Sequence, residues 1–331
     1  MRTTNASAAL LAILLGACAP SPVAPSPKAP LPATSSAPTA AAKPLDLAAV
    51  AAATGGKPEQ QGAVAKVSFP RTDTPVAVDG WTMPPFMGLT SWAGFTPGEK
   101  PGVDAMVMGD LVAFEDEVNP MMSALLDGGV EVTALHNHFF YDKPRVFFMH
   151  IGGEGTVERL GKGVRAALDA QKAIRQKSPA PRERTELPPI ASPSKIDGAK
   201  LDAIFGVPGA AKDGMYKATM GRKATASCGC SVGKAMGVNT WAAFAGTDEA
   251  AVVDGDFAVS EAELQPVLKS LRGAGIDVVA IHHHMTGETP RILFLHYWGR
   301  GTAADLAKAV KKTLDLTAWD GAGAAAGAGA R

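Results

Sequence analysis

All seven histidines of the 331-residue chain fall in two short stretches with the same layout. The first holds His136-Asn137-His138 and His150; the second holds His282-His283-His284 and His296, so that only His283 lacks a counterpart. In a β-strand, residues two apart face the same way, and His136 and His138 therefore aim together. A neighbouring strand in register with His136 opposite His150 adds a third imidazole, and Val146 and Phe148 then share that face. Three imidazoles on two paired strands predict a divalent-metal centre, zinc first, with a position left over for water or substrate. The chemistry of such a centre is metal-assisted hydrolysis. The competing reading is a non-catalytic protein whose histidines are hydrogen-bonded within a repeated core or contact a ligand. The strand Val146–His150 is apolar on both faces, so its pattern leaves the register open, and a slip of one residue turns His150 away.

Carboxylates stand near both sets. Asp110 and Asp256, each following a glycine, are candidates for a fourth ligand or for orienting a His ring, against a role in a turn or cap. Glu117 and Glu263 have the reach of a general base, but their position three residues into a helix favours capping. Arg145 and Arg291 fall off the His face and suit ion pairs. Cys228 and Cys230, separated by Gly229, close a tight ring if oxidised, or otherwise offer thiols for metal or redox use. Trp92, Trp241, Phe95 and Phe244 read as core.

The two histidine stretches belong to a larger repeat. From Ala105 to Thr156 a constant offset maps the chain onto Ala251–Thr302 without a gap, and 20 of these 52 positions are identical. Upstream, GLTSWAGF (88–95) matches GVNTWAAF (237–244), and Arg71 matches Arg222. Each unit reads as α+β, a mostly antiparallel sheet with helices packed on it. The order is a short helix (46–54, 197–205), then strands at Val64–Phe69, Val76–Val78, Leu89–Phe95 and Ala105–Ala113. A helix over Glu115–Asp127 follows, with Pro120 and Pro266 as possible true starts. Strands Val130–Phe139 and Arg145–Ile151 come next, and a helix at Val157–Ala170 or Ala303–Leu316 closes the unit. The predicted division is a signal peptide at 1–18, a Pro/Ala-rich tether at 19–44, a first repeat at 45–175, a linker at 176–195, a second repeat at 196–318 and a Gly/Ala-rich tail at 319–331.

The N-terminus supplies the location. Arg2 precedes an apolar run of about ten residues, half of what a spanning helix needs. It ends Leu15-Gly16-Ala17-Cys18, which resembles the lipobox of bacterial lipoproteins and implies lipidation at Cys18. The expected protein is exported and held to an envelope membrane by that lipid, with a small-molecule or envelope ligand as its partner. Balanced charge, 32 basic against 32 acidic residues, gives no electrostatic hold on nucleic acid. The stretches VMGDLVAFEDEVNPMMSALLDGGVEVTALHNHFFYDKPRVFFMHIGG and DGDFAVSEAELQPVLKSLRGAGIDVVAIHHHMTGETPRILFLHYWG resemble the LppY/LpqO lipoprotein family over about residues 45–317. The resemblance implies a bacterial exported protein and carries no reaction with it.

Overall fold

The computed structural model describes residues 44–182 and 187–321. The signal peptide with Cys18, the tether up to residue 43 and the tail from 322 lie outside the described residues. In the first copy the elements are α1 (Leu47–Thr54), β1 (Pro58–Gln61), β2 (Val64–Pro70), β3 (Val76–Val78), β4 (Trp81–Met83), β5 (Thr90–Pro97) and β6 (Ala105–Phe114). Then come α2 (Glu115–Asp127), β7 (Glu131–His136), β8 (Asp142–Lys143), β9 (Val146–Gly155) and α3 (Val157–Lys177). The second copy repeats this as α4 (Gly198–Phe205), β10 (Ala210–Lys212), β11 (Met215–Gly221), β12 (Ala224–Thr225), β13 (Ser231–Val232), β14 (Asn239–Gly246) and β15 (Ala251–Ser260). It closes with α5 (Glu261–Gly273), β16 (Asp277–His282), β17 (Ile292–Gly301) and α6 (Ala303–Leu314).

The fold is α+β in two lobes, but the lobes share one sheet. Its twelve strands run β1-β2-β5-β6-β9-β7-β16-β17-β15-β14-β11-β10, so the second half mirrors the first about the β7/β16 seam. The named strand pairs of this sheet are antiparallel. Alternation sorts the side chains. Val107, Leu111, Met149 and Ile151 turn toward the helices, and with their counterparts they build one core through both copies. Val112, Phe114, Val146 and Phe148 face the other way, into a small separate cluster with Val76 and Leu89. That second face carries the histidines.

The seam is secured by side chains that imitate backbone. β7 and β16 pair only at Leu135 and Ile281. A bulge in each strand, between Val132 and Ala134 and between Val278 and Ala280, interrupts the pairing with β9 and β17. Asn119 of α2 reaches across the seam, its Oδ1 accepting from the Val278 amide at 2.8 Å and its Nδ2 donating to the Val278 carbonyl at 3.2 Å. Gln265 of α5 does the same to Val132, at 3.1 and 2.8 Å. Both valines are fully buried, so loss of either amide strands a backbone pair that water cannot reach. Asn119→Ala and Gln265→Ala should each cost about 1–3 kcal/mol. Hydrogen exchange should accelerate at Val278 in the first variant and at Val132 in the second. Unchanged exchange at those two amides would refute the clasp.

Three sequence expectations change. The α2 and α5 helices begin at Glu115 and Glu261, not at the prolines, because Glu117 and Glu263 bond the amides of Phe114 and Ser260 at 2.9 and 2.7 Å and so close the first turn. The α3 helix runs 21 residues, into the expected linker, against 12 for α6. The strand expected over Val130–Phe139 stops at His136. Beyond it the chain lifts away, and Asp142–Lys143 joins a three-stranded sheet β4-β3-β8 instead.

Candidate metal centre

The register differs from the expected one by two residues and keeps the same face. His136 lies opposite Phe148, and Ala134 lies opposite His150. In the second copy His282 pairs with Phe294 and Ala280 with His296. A two-residue offset preserves side-chain direction, so the imidazoles are diagonal neighbours, with ring centroids 5.0 Å apart for His136–His150 and 4.8 Å for His282–His296. His138 and His284 are off the strand. Each folds back over a phenylalanine, at 3.4 Å from Phe148 and 3.5 Å from Phe294, centroid to centroid. These two phenylalanines, two residues before His150 and His296, are the platforms that return the third imidazole to its partners.

The carboxylates complete the second-lobe set. Asp256 pairs with His296 across β15 and β17, just as Asp110 pairs with His150 across β6 and β9. Asp256 is 2% exposed. Its Oδ2 lies 3.3 Å from His284 Nε2, which lies 3.1 Å from His282 Nε2. Ligands about 2.0–2.1 Å from a tetrahedral zinc stand about 3.3 Å from one another, and both separations approach that spacing. Among the described residues, Asp256, His282 and His284 are the group whose ligand atoms all lie within 4.8 Å of one another.

His296 sits beside this trio and sends Nδ1 to the Gly255 carbonyl at 3.2 Å. An Nδ1–H donated to a carbonyl leaves Nε2 with its lone pair, the tautomer of a metal-binding histidine. The electrostatics suit a cation. Burial and the neighbouring imidazoles hold His282 down to about 4, so it is a neutral donor at pH 7. Burial pushes the Asp256 carboxyl up, against the lowering pull of His296 and His284. Asp256 Oδ1 and His282 Nδ1 are buried with no hydrogen-bond partner among the described residues. A buried acceptor without a donor costs free energy that a cation can recover.

The first lobe has the same residues in a looser arrangement. His136 and His138 stack nearly parallel, at 17°, where His282 and His284 are tilted by 49°. Parallel rings hold their nitrogens side by side, whereas tilted rings can point them at one spot. The His138 pKa is lowered by burial and by His136, while Asp110 raises it, and Asp110 Oδ1 is again buried with no hydrogen-bond partner among the described residues.

Glu117 and Glu263, weighed as bases, are bonded to arginines and backbone amides. Glu117 is fully buried, bonded to Arg71 and Gln171 as well as to the Phe114 amide. Glu263 holds Arg222 and the amides of Ser260 and Ala318. Arg145 pairs with Glu115 at 3.4 Å. Cys228 and Cys230 are joined as a disulfide in the β12–β13 hairpin, which is bonded through Thr225 and Thr289 to the loop after His284. Trp92 and Trp241, expected as core, are only half-buried. Lys66 and Lys217 lie over their rings at 4.6 and 3.9 Å, and both tryptophans pair with the site carboxylates across the sheet.

The chain belongs to the family described as Domain of Unknown Function (DUF1259), whose pattern matches residues 48–170 and again 199–316. No protein of curated function matches. Among solved structures, a trimeric bacterial microcompartment shell protein, PduB, aligns with 78% of this chain and 89% of its own at 13% identity. The TM-score is 0.17, at which the two chain paths do not correspond.

Proposed function

We propose that this protein is an envelope-tethered lipoprotein of the LppY/LpqO type whose second lobe holds a divalent metal, zinc first. Asp256, His282 and His284 are the ligands, and His296 is the nearest further donor. The observation that carries the reading is the convergence of three ligand atoms within 4.8 Å around a buried, partly unpartnered carboxylate. Zinc favours such a mixed nitrogen and oxygen set, and three protein ligands leave a position open. The chemistry a metal supplies there is activation of a bound water for hydrolysis. In the first lobe the parallel stacking of His136, His138 and Phe148 favours the rival reading, histidines that pack the face and bind metal weakly if at all.

The test is metal content. The full chain, purified without an affinity histidine tag and dialysed against zinc, should retain about one equivalent by elemental analysis. The His282→Ala/His284→Ala variant should retain none. An empty parent, or a variant that keeps its metal, ends the proposal. Tethering is tested separately: Cys18→Ala should move the protein from the membrane fraction to the soluble fraction of its cells, and persistence in the membrane would contradict lipid anchoring.

A further inference from the structure

The internal duplication acts as its own control for the cleft at the seam. A cavity of about 670 Å³ opens between α2, the end of α3 and the strands β16 and β17. Such a volume is typical of small-molecule sites, which run about 300–1,000 Å³. Its walls are places where the two copies differ. Ile174, Lys177 and Ser178 lie on and just beyond the part of α3 that α6 does not have, and Arg182 follows. Opposite them stand Trp298 and Val279, whose first-copy counterparts by the constant offset are Gly152 and Thr133. The duplication alone would not have produced this cleft. A helix extension in one copy and two larger apolar side chains in the other build it together.

Its chemistry has two poles. Val118, Phe147, Ile174, Val279 and Trp298 make an apolar wall. The acids at the rim are already engaged: Asp277 with Arg272, Asp116 with Arg175, and Glu115 with Arg145. Among the described residues the cations Lys177 and Arg182 have no carboxylate partner, and the Arg182 guanidinium bonds Ser178 Oγ, at 2.9 Å. An apolar wall beside two cations that have no carboxylate partner among the described residues complements one kind of small molecule. We propose that the seam cleft binds an amphipathic monoanion, an anionic head on a hydrocarbon body of medium-chain acyl size, with the head at Lys177 and Arg182 and the body against Trp298 and Phe147. This site is separate from the histidine clusters, and the proposal stands whether or not they bind metal.

The probe is decanoate, titrated into the full-length unlipidated chain below the micelle concentration. Calorimetry should show saturable binding, and tryptophan emission should change in the parent but not in Trp298→Phe. Decanol should bind at least about tenfold more weakly, the scale of one ion pair withdrawn from bulk water, and decyltrimethylammonium should not bind. Lys177→Gln/Arg182→Gln should bring decanoate down to the level of decanol. Val279 is half-exposed, so Val279→Trp fills the cleft without disturbing the core; it should abolish binding with an unchanged melting temperature. No saturable binding of decanoate, equal binding of acid and alcohol, or binding that survives Val279→Trp overturns the proposal.

Discussion

Replacement of Glu117 by alanine is expected to lower the unfolding free energy by about 3–5 kcal/mol, because it removes the fully buried carboxylate that two buried guanidinium groups share and leaves Arg71 and Arg175 only their more exposed second partners, Asp73 and Asp116. The carboxylate is fully buried. Its Oε2 accepts from Arg71 at 2.6 Å, from the Phe114 amide at 2.9 Å and from Gln171 at 3.1 Å. Its Oε1 accepts from Arg71 at 3.1 Å and lies 2.8 Å from Arg175 Nε. The second copy again provides the control. Glu263 caps α5 and holds Arg222, but Gln171 and Arg175 sit on the extension of α3 and have no equivalent there. Its side chain remains 16% exposed, so water can reach what its removal leaves behind. Glu263→Ala should cost less, about 1.5–3 kcal/mol. Urea titrations at constant m-value would rank the two. Equal losses would mean that the extension adds nothing to the network.

The same carboxylate predicts an acid limb. Burial pushes Glu263 up, but Arg222 and the Ser260 and Ala318 amides outweigh it, and the carboxyl is held below its ordinary 4.5. Its contribution is therefore full above 4.5 and is lost as pH falls through the lower folded-state value. Stability of Glu263→Gln should fall less steeply over that window than stability of the parent. Parallel acid limbs would show that the ion pair is not retained in solution.

Zinc should raise the melting temperature, and only the second lobe should be responsible. At a hundredfold excess over the dissociation constant a ligand stabilises by about 2.7 kcal/mol. For a chain of this size that corresponds to about 4–5 °C. The shift should vanish in His282→Ala and in Asp256→Asn, which keeps the shape of the side chain and removes its charge. It should persist in His136→Ala, because the first-lobe rings do not converge. A shift that survives in Asp256→Asn would place the ligand elsewhere, and one lost equally in His136→Ala would mean that the lobes act together. Calorimetric scanning of the four proteins with and without zinc decides between these outcomes.

That His150 and His296 share a face with His136 and His282 was settled only by the pairing of β9 with β7 and of β17 with β16, because Val146–His150 is apolar on both faces and leaves the register open. The repeat, the α+β class and the matching layout of the two histidine sets could be read from the chain. Each rests on local periodicity or on an offset between two stretches. The capping positions of Glu117 and Glu263 were legible for the same reason, since a capping box spans only four residues. What lay beyond reach depends on groups distant in the chain. The bulges in β7 and β16 and the clasp of Asn119 and Gln265 merge two sheets into one, and nothing near Val132 or Val278 in sequence announces that. The end of β7 at His136 is set by the competing sheet β3-β8, which lifts His138 out of plane to stack on Phe148. The difference between the lobes is likewise tertiary. The same residue types at the same spacing give parallel rings in one and converging rings in the other, because ring orientation follows the packing of loops around each cluster, which strand periodicity does not encode.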